Sequence, residues 1–322
     1  MLSIVIAFIT VLALLLILLK TQLINLALDK PNARSLHQNI IPRTGGLALM
    51  LGVLTAWFFL GIHAYWLLLT FVLVAVSLVD DMRGLSVRWR LLAQVLVSGI
   101  FVFLFLQGLA LFWQVIICLG LVWVINLYNF MDGSDGLAGG MGVFGFSTFA
   151  LAAYQAGFLQ LSLMCACIAV ASLAFLIFNF QPAKIFMGDA GSISLGFLAG
   201  AIGLYGWQHH VWPIWFLFVV FSPFIVDASI TLIKRLLNGE KIWQAHRSHY
   251  YQRLIQMGWS HRKTALYEYF TMFSAATSAL YMLKNNSHQV FVGLGLCVII
   301  YSLIALFVDY RWKHFKKNNL NK

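Results

Sequence analysis

The feature that most limits how this chain can fold is a succession of apolar runs, each close to the length of a membrane-crossing helix. They lie at roughly 2–19, 45–60, 64–79, 91–108, 111–128, 137–156, 160–178, 191–208, 212–233, 265–283 and 289–308. About 20 mainly apolar residues carry a helix across a bilayer, and only a helix or a closed barrel satisfies its own backbone there. The pattern predicts an all-α fold, a polytopic transmembrane helix bundle of about 11 spans. Of the 322 residues 61% are hydrophobic and 10% charged, too few charges to cover a soluble domain. Residues 1–322 are therefore expected to form a single integral membrane domain. No inverted internal repeat of the kind found in many transporters is visible.

Leu2 to Leu19 is apolar with no basic residue before it, and the first Lys is Lys20, after the run. A cleaved signal would show the opposite order, so the reading is a retained helix with its N-terminus outside. Alternating from there, twenty of the 21 Lys and Arg fall on the inner side and only Lys284 falls outside. That bias is the positive-inside rule, and it places the C-terminus in the cytosol. The formal charge of +11 is then topology, together with attraction to anionic membrane lipids. It is no nucleic-acid footprint. Cys118, Cys165, Cys167 and Cys297 sit in apolar runs without CxxC spacing, as small buried hydrophobes do.

The acids do not follow from topology. All ten, Asp29, Asp80, Asp81, Asp132, Asp135, Asp189, Asp227, Glu240, Glu268 and Asp309, lie at or near the inner side. Carboxylates at the edge of apolar helices are expensive, and so many in one layer ask for a cation. A transporter would spread polar groups through the full depth of the bundle, whereas the outer half here is almost free of ionisable residues.

Five constellations make up the layer. Asp80-Asp81 closes the third run; neighbours on a helix point about 100° apart, so one can face the bundle while the other meets Arg83 or Arg88. In Asn126-x-x-Asn129-x-x-Asp132-x-x-Asp135, oxygen donors recur every three residues, which suits Mg²⁺ or Mn²⁺. Gly188, Gly191 and Ser192 open the eighth run, a helix start able to hold phosphate, with Asp189 as a metal ligand beside it. The loop His246-Arg247-Ser248-His249 offers donors to diphosphate oxygens. The fifth runs from Asp29-Lys30-Pro31 through Arg34 and His37 to Pro42-Arg43 and Gly45-Gly46. A divalent cation, a nucleotide diphosphate from the cytosol and a phosphate-headed lipid from the membrane would all fit one such layer.

In order, Asp29-x-Pro31-x-x-Arg34-x-x-His37 with Gly45-Gly46, Asp80-Asp81, Asn126-x-x-Asn129-x-x-Asp132-Gly-x-Asp135-Gly and Phe186-Met-Gly188-Asp189-x-Gly-Ser192 resemble a known family. Over nearly its whole length the chain resembles the polyprenyl-phosphate N-acetylhexosamine-1-phosphate transferases, glycosyltransferase family 4. The resemblance implies an enzyme of the bacterial cytoplasmic (inner) membrane with its active site facing the cytosol. It implies that a lipid phosphate, usually undecaprenyl phosphate, attacks the β-phosphate of a UDP-sugar and releases UMP. By motif it implies Asn129 and Asp189 as Mg²⁺ ligands and Asp80 and Asp81 as the catalytic pair at the lipid phosphate. Asp132, Asp135 and Phe186 would contact the nucleotide, and Arg43, His246, Arg247 and His249 the phosphates. Where the peptidoglycan enzyme of the family has three histidines in a row, this chain has His246-Arg247-Ser248-His249. That loop is similar to the branch initiating O-antigen or related surface glycans with fucosamine- or quinovosamine-type sugars; UDP-N-acetylglucosamine is the alternative donor. Direct displacement and a phospho-aspartate intermediate both stay open, as does a homodimer. Asp227, inside the ninth run, reads as structural.

Overall fold

In a computed structural model the chain is described at residues 1–21, 26–29, 40–241, 244 and 246–320. Of the early motif, Lys30, Pro31, Arg34 and His37 lie outside the described residues. Thirteen helices follow in order among those described: α1 (Leu2–Lys20), α2 (Gly45–Leu60), α3 (Ala64–Arg83), α4 (Val87–Phe105), α5 (Leu111–Phe130), α6 (Leu137–Gln155), α7 (Leu159–Asn179), α8 (Gly188–Gln208), α9 (Trp215–Val220), α10 (Ser222–Leu237), α11 (Tyr250–Gln256), α12 (His261–Met282) and α13 (Ser287–Leu320). The described strands are short, β1 (Leu28–Asp29) and β2 (Ile41–Pro42), paired antiparallel with Leu28 opposite Pro42.

The chain is an all-α polytopic membrane protein. Eight helices, α1, α3 to α8 and α13, are long and apolar enough to cross a bilayer, and α2 is a shorter apolar helix. Their turns match the sequence punctuation. Gly61 ends α2 in the left-handed region at φ 70°, His63 caps α3 through Tyr65 N–H, and Ser260 caps α12 through Lys263 N–H. The expected run 212–233 is not one helix. It breaks between Val220 and Ser222, and Pro223 stands in the first turn of α10, where its missing N–H is tolerated while its ring bars continuation of α9.

α8 is the buried axis, packed on α2, α3, α5 and α6. Its small residues let neighbours come close: Gly196 lies against the Ile125 backbone of α5, and Gly203 against Leu217 of α9. The outward faces of α4, α5 and α13 carry exposed Phe103, Phe112 and Phe291, as lipid-facing surfaces do. Because α8 starts where α3 and α5 end, and α2, α4 and α12 start there too, the polar termini of these helices share one layer.

Candidate active site

The layer is assembled by backbone pairing between segments remote in sequence. Phe186 N–H donates to Pro42 O (2.7 Å), and Gly45 and Gly46 N–H donate to Phe186 O (3.0 Å) and Met187 O (2.8 Å). This zips the entry of α2 to the entry of α8, where Gly46 packs directly on Gly191. Gly188 has φ +68°, and a Cβ there would stand 2.8 Å from Asp81 Oδ2 and collide with the Arg43 carbonyl. Only glycine meets both demands.

Asp81, at the end of α3, turns into the bundle and is buried. Its Oδ2 accepts from Ala190 N–H at 3.1 Å. The start of α8 is therefore capped by a carboxylate from α3, which differs from the expected open phosphate cradle; the macrodipole favours either anion there. Asp81 Oδ1 is buried without a hydrogen-bond donor, with Arg43 Nη1 at 3.9 Å. Asp80 accepts from Leu85 N–H (2.6 Å) and from Arg90 Nη1 (3.0 Å), and the same Nη1 reaches Asp189 Oδ2 at 3.2 Å. The expected partners Arg83 and Arg88 stay exposed. Arg90 takes their place because α4 folds back after Gly84 and brings that residue onto the ends of α3 and α8.

At the end of α5 the four-residue oxygen repeat divides. Asn126 donates to Gln94 Oε1 of α4 (2.7 Å) and does not reach the acid layer. Asn129 Oδ1 accepts from Ser192 Oγ (2.7 Å), one helical turn from Asp189. Asp132 follows the helix; burial, then the charges of Asp189, Asp81 and Asp29, holds its proton affinity well above the usual carboxylate range. Asp135 is occupied, accepting from Ala183 N–H (3.1 Å) and facing His261 at 3.7 Å. Asn179 bridges Gly136 N–H and Ile185 O, at 2.9 and 3.0 Å, so the segment bearing the half-buried Phe186 is clamped to the turn after α5.

The last polar loop reaches the same layer through α11. His249 is buried and stacks on Phe130 and Tyr251, with His246 beside it at a ring separation of 4.9 Å. Burial, then His249 and Arg235, pushes the His246 imidazole down to about 4, so it serves as a neutral hydrogen-bonding group near pH 7. Arg247 is exposed, and its carbonyl accepts from Gln256 Nε2. Asp227 anchors the loop: its Oδ1 accepts from Tyr250 N–H (2.9 Å) and meets His249 Nδ1 (3.3 Å), and its Oδ2 accepts from Tyr251 N–H (3.0 Å). The structural reading of Asp227 agrees with these contacts. Arg90 and His261 escaped the sequence reading; the one signal for Arg90 was a cation one tight turn beyond Asp80-Asp81.

The donor chemistry fits Mg²⁺. Asp81 Oδ1 is an orphaned buried oxygen, and the Asp80–Arg90–Asp189 cluster lies directly beside it. Among the described residues no three His, Cys, Asp or Glu side chains converge as a complete cage. Mg²⁺ suits such a set, because it usually takes one or two carboxylates and completes its shell with substrate phosphate and water.

Comparison with known proteins meets this geometry. Residues 63–206 match the model of glycosyl transferase family 4. A Bacillus subtilis (strain 168) protein named "probable undecaprenyl-phosphate N-acetylglucosaminyl 1-phosphate transferase" is 30% identical, over 90% of this chain and 88% of its own. The undecaprenyl-phosphate α-N-acetylglucosaminyl 1-phosphate transferases of Yersinia pestis and Escherichia coli (strain K12) are 28% and 27% identical, each over 88% of this chain and 85% and 84% of theirs. With this similarity running through helix ends that gather Asp80, Asp81, Asn129 and Asp189 into one layer, the chain belongs to the polyprenyl-phosphate hexosamine-1-phosphate transferases of glycosyl transferase family 4.

Proposed function

We propose that this protein transfers an N-acetylhexosamine 1-phosphate from a UDP-sugar to undecaprenyl phosphate, releasing UMP and starting a lipid-linked glycan. The observation that carries the reading is the meeting of Asp80, Asp81 and Asp189 with Arg43 and Arg90 where α3 and α8 join. Phosphoryl transfer asks for positioning and charge neutralisation more than covalent help, and this cluster offers both. In the reaction an oxygen of the lipid phosphate bonds to the β-phosphorus, the bond from that phosphorus to the bridging oxygen breaks, and UMP leaves with the oxygen.

Mg²⁺ held by Asp189 and Asn129 would supply Lewis-acid stabilisation of the diphosphate. Asp81 Oδ1, free of donors, is the oxygen able to take a proton from the lipid phosphate or hold it in place. Asp80 has both oxygens engaged and orients Arg90. Arg43 and the His246–His249 loop lie on the path of the phosphates, with Asp132 and Phe186 toward the nucleoside. We place the site on the cytosolic face of a bacterial inner membrane, in a bundle of eleven spans with N-terminus outside and C-terminus inside. The distribution of Lys and Arg supports that orientation.

For the sugar, the names of the relatives favour N-acetylglucosamine, and the His-Arg-Ser-His loop favours a deoxy-N-acetylhexosamine. One assay decides: purified protein, undecaprenyl phosphate, Mg²⁺ and a panel of labelled UDP-sugars. UMP release with a new lipid-soluble sugar is expected, lost with chelator and restored by Mg²⁺. No UMP from any UDP-N-acetylhexosamine ends the proposal.

A further inference from the structure

We propose that His261, in the first turn of α12, is a positioning residue for the nucleotide of the UDP-sugar, an inference that rests on the transferase reading above. A diphosphate held at Asp189 and Asn129 leaves its nucleoside over the surroundings of the inner end of α5. There α5 gives way to the turn Gly133-Ser134-Asp135-Gly136. Asn179 ties that turn to the Phe186 segment through Gly136 N–H (2.9 Å) and Ile185 O (3.0 Å). A turn outside regular structure has no backbone ladder to hold its shape, so a ligand that needs one conformation gains affinity from whatever fixes it beforehand.

His261 supplies that hold. Asp135 N–H donates to its Nδ1 at 3.4 Å, and Ser134 Oγ lies 2.9 Å from the same nitrogen. A neutral imidazole that accepts at one nitrogen carries its proton on the other, so the Ser134 hydroxyl is a second donor to Nδ1. Asp135 Oδ2 accepts from Ala183 N–H (3.1 Å), and Arg262 N–H donates to Gln181 Oε1. The start of α12, the 181–183 loop and the turn thus close on one another. With its amide and Oδ2 both committed, the Asp135 carboxylate keeps one orientation. Its Oδ1 stands 3.7 Å from Nδ1, beyond hydrogen-bond reach, and is the oxygen left to accept from a nucleoside. Two tyrosines also brace the turn, but through main-chain atoms: the Tyr269 hydroxyl donates to Gly136 O (2.7 Å) and the Tyr251 hydroxyl to Phe130 O (3.2 Å). His261 instead grips Ser134 and Asp135, the two residues of the turn whose side chains can meet a ligand.

Binding of UMP, the nucleotide product, tests this without turnover. In Mg²⁺ buffer, His261→Ala should weaken UMP binding to the purified protein by roughly tenfold, as expected for the loss of one or two hydrogen bonds. His261→Asn, whose amide oxygen replaces Nδ1 as the acceptor, should bind within about threefold of wild type. His261→Gln carries its amide one methylene too far and should be as weak as the alanine variant. Should the alanine variant fail to fold, the Asn and Gln pair carries the same comparison. Ser134→Ala should add nothing in the His261→Ala background, because both delete one contact. In transfer kinetics His261→Ala should raise the KM for the UDP-sugar in parallel, while the KM for undecaprenyl phosphate holds within about twofold; a merely structural loss would move both. Unchanged UMP affinity in these variants, asparagine no better than glutamine, or equal shifts in both KM values overturns the assignment and leaves the reaction intact. Wild-type protein that binds UMP with these variant effects and transfers no sugar sinks the reaction and leaves His261 standing. Wild-type protein that binds no UMP overturns both.

Discussion

Asp80 and Asp81 are neighbours in sequence and do different things. Asp81 spends one oxygen on the Ala190 amide in the first turn of α8 and keeps the other without a donor beside Arg43, whereas Asp80 is engaged at both oxygens by Leu85 and Arg90. Asp81→Asn preserves the cap, because an amide oxygen still accepts from Ala190, and removes the charge. Transfer should fall by roughly 10²–10⁴-fold, the range for losing a general acid–base group, with the helical circular dichroism unchanged. Wild-type activity in that variant would remove Asp81 from the chemistry. His246 carries a pH signature. Its folded value of about 4 lies below the ordinary 6.5, so between those values the unfolded chain binds more protons and stability rises with pH. The contribution is present above about pH 6.5 and lost as pH falls toward 4. The melting temperature in detergent should therefore drop on acidification less in His246→Gln than in wild type.

At the scale of elements, α11 is the part with least stability of its own. Seven residues cannot hold a helix alone in water, and this one hangs on Asp227, with Arg253 paired to Asp309 of α13 at 2.8 Å and Lys234 of α10 paired to the same carboxylate. Asp227→Ala leaves the Tyr250 and Tyr251 amides without acceptors. It should lower stability by about 3 kcal/mol, seen as a reduced melting temperature, and raise the KM for the UDP-sugar as the His246–His249 loop loses its footing. An unchanged KM would show that the loop is placed by other contacts. The Arg253 and Lys234 pairs tie the start of the basic tail to α10 and α11, while Tyr301 bonds Ser222 and Gly293 packs on Met282 along the apolar length of α13.

For the whole molecule the testable property is orientation. Lys284 follows α12, at the opposite end of that helix from the polar layer, and Lys313 lies in the polar final turns of α13. In a cysteine-free background, Lys284→Cys should react with a membrane-impermeant maleimide added outside intact cells, and Lys313→Cys only after permeabilisation. The reverse pattern would invert the proposed topology and put the carboxylate layer outside.

The positions and apolar character of the helices were legible in the sequence, because a bilayer rewards long apolar runs whatever their neighbours. So was the membership of Asp80, Asp81, Asn129, Asp132 and Asp189 in a single layer: where a residue falls along a helix sets its depth, and depth is a one-dimensional property. The break at Phe221–Pro223 could have been read from the proline alone. What only the tertiary structure decided was rotation and partnership. Arg90 was preferred to Arg83 and Arg88, the Ala190 amide at the start of α8 was taken by Asp81, and Asn126 turned to Gln94 and away from the acids. Those outcomes depend on how closely each helix approaches the next, and that distance is set by contacts such as Gly46 on Gly191 between residues far apart in the chain. The one-sided charge of the sequence thus determined where the acids gather, and packing determined which carboxylate oxygen, Asp81 Oδ1, was left without a hydrogen-bond donor.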